Sequence, residues 1–96
     1  MQVLKFGGTS VANAENIQKT VQVIKNSGYS RCLVVVSALS GVTDLLLKTG
    51  HTAAEGNEQY KQTLAELEKK HIETVRNLLP VTSQSSCLSL VKTNFN

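Results

Sequence analysis

Residues 32–36 read Cys-Leu-Val-Val-Val, five apolar side chains in a row with no polar residue between them. A strand with one wet face alternates apolar and polar positions. An unbroken apolar run instead marks a strand buried on both faces, as in parallel sheets. Parallel neighbours need a crossover connection, so a partner strand and a helix should accompany this run. Both precede it. Val3–Phe6 reads as a short strand and ends at a Gly7-Gly8 break. A helix is expected from near Ser10 or Asn13 to about Ser27, because Ile17, Val21 and Ile24 recur at i, i+4 and i+7. Gly28 stands where a helix stops in the left-handed conformation. The order strand, helix, buried strand predicts a βαβ unit with a right-handed crossover.

After a second loop, Ser37–Gly41, a helix is expected from about Val42 with Leu45 and Leu46 facing inward, and Gly50 and Gly56 bracket a break. The longest helix should run from Glu58 to about Leu79, burying Tyr60, Leu64, Leu67, His71, Val75 and Leu78. Glu66 and Lys70 are spaced to pair on its outer face, and Pro80 closes it. The serine-rich stretch Thr82–Ser86 reads as a loop offering N-caps to a final helix that holds Leu88 and Val91 and stops at Lys92–Asn96. Only two strands emerge, and two parallel strands alone do not make a stable sheet, since their edges and faces need cover. Residues 1–96 are therefore expected to be the incomplete N-terminal part of a larger α/β domain, with a complete small protein as the weaker alternative.

Composition narrows the partners. Ten Lys/Arg against seven Asp/Glu leave a net charge of +3 with the signs interspersed, and there are two Phe, two Tyr and no Trp for base stacking. Nucleic acid is not expected. No apolar run approaches the length of a membrane span, and the start Met-Gln-Val-Leu-Lys lacks the layout of a signal peptide, so neither a membrane nor export is expected. Cys32 and Cys87 have no CxxC spacing and no nearby histidine, which predicts free thiols, no metal site and a cytoplasmic location. His71 falls on an apolar helix face and reads as a satisfied core or edge histidine, His51 as a loop residue. Asp44 suits the start of a helix rather than a magnesium ion. Glu66, Glu68, Lys69, Lys70 and Glu73 form a solvated face.

Chemistry concentrates in the first loop, Lys5-Phe-Gly-Gly-Thr-Ser10. Glycines let the backbone approach an oxyanion closely, and their N–H groups can point inward as a nest. A following helix would add its own unpaired N–H groups and the positive end of its dipole. Lys5, near the carboxyl end of its strand, brings a full charge, and Thr9 and Ser10 bring hydroxyls. The loop is not a Walker A motif, where the lysine follows the glycines, nor GxGxxG, since Thr9 stands at the second glycine. The residues alone leave two readings open: an anion site, or a plain turn with an exposed lysine and a serine cap.

Lys5-Phe-Gly-Gly-Thr-Ser-Val-Ala12 resembles the N-terminal signature of aspartate kinases in the amino-acid-kinase family. Val34-Val-Val-Ser-Ala-Leu-Ser-Gly-Val-Thr-Asp44 resembles the family's second segment, and the extended start MQVLKFGGTSVANAE is similar to that of bifunctional aspartokinase–homoserine dehydrogenases. The resemblance is close over residues 1–47 and loose beyond. It implies a three-layer α/β/α domain with a mainly parallel sheet, to which this chain contributes the βαβ-plus-helices portion. It also implies phosphoryl transfer from MgATP, as co-substrate, to the β-carboxylate of L-aspartate, giving 4-phospho-L-aspartate. Lys5 would be the catalytic residue, lying among the ATP phosphates with Gly7, Gly8, Thr9 and Ser10. Ser37, Ala38 and Thr43 would help hold aspartate. The rest of the site would lie beyond Asn96, so the chain alone should not turn over, and a homo-oligomer is expected. Two rival readings remain: a related kinase acting on a carboxylate such as acetylglutamate or glutamate, and a non-catalytic module that self-associates through exposed sheet edges.

Overall fold

The computed structural model describes residues 1–95, and Asn96, the end of the expected Lys92–Asn96 tail, lies outside the described residues. The chain divides into two compact units, Met1–Ser40 and Gly41–Asn96. Among the described residues the architecture is α/β, with a parallel two-strand sheet and four α-helices.

In the first unit, β1 (Gln2–Phe6) pairs in parallel with β2 (Cys32–Val36), with Gln2 opposite Cys32 and Phe6 opposite Val36. Between them run a 3-10 turn, Gly8–Val11, and helix α1 (Ala14–Asn26). Asn13 is the N-cap of α1, its side-chain oxygen accepting from the Asn16 N–H at 2.9 Å. This satisfies one of the donors that a helix start leaves free. Gly28 lies just past the end with φ +76, the left-handed stop that its position suggested. Val11 is buried, and in α1 the buried position is Thr20. The βαβ order is as expected, but the burial of β2 is not. Leu33 and Val36 are 54% and 56% exposed, and Val34 and Val35 are exposed as well. A sheet of two strands leaves an open edge and uncovered face on each, so a both-faces-apolar strand has nothing to bury against.

The second unit is an α-hairpin series. Helix α2 (Val42–Ala54) starts where expected, yet Leu46 is 51% exposed, while Val42 is buried and Leu45 half-buried. Gly50 does not interrupt α2, because one glycine costs a helix only about 1 kcal/mol relative to alanine. His51 accordingly sits within α2, not in a loop. The break comes at Gly56, φ +75, where the Asn57 N–H reaches back to the Thr52 carbonyl at 3.2 Å in a Schellman closure.

Helix α3 (Tyr60–Leu78) buries Leu67 and Val75, with Tyr60, Leu64, His71 and Leu78 half-buried on the expected stripe. Its outer face forms the pair Lys69–Glu73 at 3.9 Å, and the expected Glu66–Lys70 pair is not made. Leu79 is extended (φ −109, ψ 145), as the residue before a proline prefers, and ends the helix. Helix α4 (Val81–Phe95) then begins at once, so Thr82–Ser86 is helical and not a loop. Pro80 is suited to open a helix because its missing N–H is not needed there. Gln84 reinforces the corner by donating from Nε2 to the Leu79 carbonyl at 2.8 Å and the Arg76 carbonyl at 3.2 Å. Both α2 and α4 pack on α3. His71 is satisfied as expected, with Nδ1 2.7 Å from the Leu67 carbonyl and its ring 5.5 Å from that of Phe95.

Candidate functional site

Alternation along β1 sets the lysine. Leu4 and Phe6 are half-buried while Val3 and Lys5 are exposed, so Lys5 projects from the face opposite Phe6. It sits one residue before the strand ends, opposite Val35. Among the described residues the ion pairs join other lysines, and Lys5 has no acidic partner.

Beyond Phe6 the chain leaves the strand extended through Gly7 (φ −72, ψ 178) and curls into the 3-10 turn, closed by the Ser10 N–H donating to the Gly7 carbonyl at 3.1 Å. Of the two expected starts, Ser10 and Asn13, the second is the one adopted: α1 begins at Ala14 after its Asn13 cap, and the turn separates its dipole from the glycines. The turn supplies donors instead. Among the described residues, no group accepts from the N–H groups of Gly7, Gly8 or Thr9. Nothing in the fold demands glycine at positions 7 or 8: neither has positive φ, and a Cβ at either would meet nothing within 4 Å. Three free donors and two bare Cα atoms thus follow directly on the strand that carries the Lys5 ammonium, a set of groups suited to anionic oxygens.

The second loop closes on the first. Ser37 donates from its N–H to the Phe6 carbonyl at 3.2 Å, and Ser40 to the Ala12 carbonyl at 3.1 Å. Lys5–Ser10 and the exposed Ser37 and Ala38 therefore lie together at the carboxyl ends of two parallel strands, the usual ligand side of such sheets. Thr43 belongs to the second unit, where it is exposed in the first turn of α2 beside Asp44. The N-cap there is Gly41, which has no side chain to satisfy the first N–H groups. Among the described residues no three His, Cys, Asp or Glu side chains gather as metal ligands, and both cysteines are free. No helix among them is long and apolar enough to cross a membrane.

Two residues that sequence reasoning did not single out also touch the loop. Thr20 donates from Oγ1 to the Ser10 carbonyl at 2.7 Å, and Asn16 from Nδ2 to the Thr9 carbonyl at 2.8 Å. With Phe6 and Lys19 they line an open cleft of about 270 Å³ behind Thr9 and Ser10. Their only signal in the sequence is a polar pair spaced by four among the apolar positions of α1.

The model of the amino acid kinase family matches residues 1–92. The chain is 40% identical over 87 residues to the bifunctional aspartokinase/homoserine dehydrogenase 2, chloroplastic, of Arabidopsis thaliana, which covers 91% of this chain and 10% of that protein. It is 43% identical over 89 residues to the aspartokinase of Chlamydia pneumoniae, covering 90% of this chain and 19% of the relative. The aspartokinase of Rickettsia prowazekii is 51% identical over 47 residues, covering 47% of this chain and 10% of the relative. The chain thus spans between a tenth and a fifth of the length of these relatives.

Proposed function

Because this chain belongs to the amino acid kinase family, we propose that it is the N-terminal part of an aspartokinase catalytic domain and supplies that enzyme's phosphate loop. The observation that carries this reading is the cradle: three unpartnered N–H groups at Gly7, Gly8 and Thr9, with Lys5 on the preceding strand. In the proposed reaction a β-carboxylate oxygen of L-aspartate attacks the γ-phosphorus of MgATP. The bond from that phosphorus to the bridging oxygen breaks, and ADP leaves with its electron pair. The carboxylate is already ionised at neutral pH, so no general base is needed. What remains is positioning and charge neutralisation. Lys5 offsets charge on the transferring phosphoryl group, and the N–H groups of Gly7 and Gly8 meet its oxygens beside Thr9 and Ser10. Ser37 and Ala38 border the amino-acid pocket, and Thr43 is assigned to aspartate binding through its motif alone. The proposed enzyme is a cytoplasmic homo-oligomer.

The test is a chimera in which residues 1–92 replace the matching segment of an aspartokinase, assayed by coupled ADP release. ADP release that depends on aspartate and not on acetylglutamate is expected, with no turnover by this chain alone. Preference for acetylglutamate, or turnover by the isolated chain, would overturn the reading. One observation favours a second reading, a self-associating module: the apolar side chains of β2 are exposed. Self-association by light scattering with an inactive chimera would support it.

A further inference from the structure

Thr20 is the one buried residue of α1, at 7% exposed, although the helix offers Ile17, Val21 and Ile24 for burial. Its hydroxyl also bonds outside its own helix. Thr49, Thr52, Thr74 and Thr93 each donate to the carbonyl four residues earlier in their own helix, and Thr63 to that of Gln59, the residue just before α3. Thr20 reaches out of α1 to the Ser10 carbonyl at 2.7 Å. One turn up the same helix, Asn16 makes the parallel contact to the Thr9 carbonyl at 2.8 Å. The Asn13 cap bonds the backbone N–H of Asn16 and so fixes the base from which that side chain reaches.

The turn they grip is weak by itself. Short 3-10 turns have poor hydrogen-bond geometry, and here the Ala12 N–H lies 3.5 Å from the Thr9 carbonyl. Two glycines at its start add backbone freedom that must be lost on ordering. In a helical turn the carbonyls point one way along the axis and the N–H groups the other. Tying the Thr9 and Ser10 carbonyls to α1 therefore turns the N–H groups at the start of the turn, those of Gly8 and Thr9, away from α1. We propose that Asn16 and Thr20 are positioning residues that aim the phosphate loop, touching its carbonyls and not the ligand; this rests on the phosphate-loop reading above.

The experiment titrates this chain with inorganic pyrophosphate and follows the amide chemical shifts of Gly7, Gly8 and Thr9. Thr20→Val keeps the shape and removes the donor, and should weaken binding about 3- to 10-fold, the worth of one hydrogen bond. The amides of α1 and β2 should stay in place, and Thr20→Ser should restore affinity. Asn16→Ala should weaken binding similarly, and decides the matter if Thr20→Val does not fold. Unchanged affinity in Thr20→Val and Asn16→Ala would overturn the positioning role while leaving the phosphate loop intact. Displacement of the α1 amides in both Thr20 variants would reduce the residue to packing. Absence of any shift in the unsubstituted chain would overturn the phosphate-loop reading itself, and this inference with it.

Discussion

Gly8 separates what the fold needs from what a ligand needs. A methyl group there would meet nothing within 4 Å, and its φ is not in the left-handed region. Gly8→Ala should therefore leave thermal stability unchanged or raise it by about 0.4–1 kcal/mol through the unfolded state. On the proposed reading the same methyl stands where a phosphate oxygen would approach the backbone, so affinity for MgATP should fall at least about tenfold, roughly the loss of one charge-assisted hydrogen bond. Calorimetric melting and a nucleotide titration on one sample check both halves. Unimpaired nucleotide binding would mean that the glycine serves neither fold nor ligand. At this scale the proposed loop is visible in the sequence because Lys5, Gly7 and Gly8 are local, and the chemistry proposed for them follows from residue type. Asn16 and Thr20 are not, because their hydrogen bonds span seven and ten residues, and periodicity reports only the helix face on which a residue lies.

At the scale of elements, bounds came through wherever the breaking residue has one strong conformational reason. Cys32–Val36 is a strand over its whole predicted length, and α1 is bounded by its Asn13 cap and by Gly28. Thr82–Ser86 misleads because serine is a turn former by propensity, yet Pro80 before it and Gln84 within it commit the backbone to α4. Gly50 misleads in the same way: a propensity cost of about 1 kcal/mol is outweighed by tertiary packing. Helix α3 is the element on which the second unit depends, because α2 and α4 both pack on it and Leu67 is its fully buried side chain. Leu67→Ala should lower the unfolding free energy by about 2–5 kcal/mol, read from urea unfolding followed by helical circular dichroism. A loss below about 1 kcal/mol would show that α3 is not the core of that unit.

For the molecule as a whole, the exposed apolar strand carries most information. Leu33, Val34, Val35 and Val36 have the composition of a strand covered on both faces and are instead open to solvent. On the proposed reading, further strands and helices of an amino-acid-kinase domain cover them, and the same additions complete the site. Sequence periodicity made the two-sided apolar character of β2 visible; it could not reveal the exposure, which depends on how many other strands and helices are present to cover the sheet. The central claim is that this chain brings the charge-neutralising lysine and phosphate loop to an aspartokinase. The most direct test is the kcat of aspartate-dependent ADP release by the chimera carrying residues 1–92, compared with the same chimera bearing Lys5→Ala. The account predicts turnover with Lys5 and a fall in kcat of about 10²–10³ without it, the scale of losing one transition-state electrostatic contact; a Lys5→Ala chimera that retains near-normal kcat would contradict it.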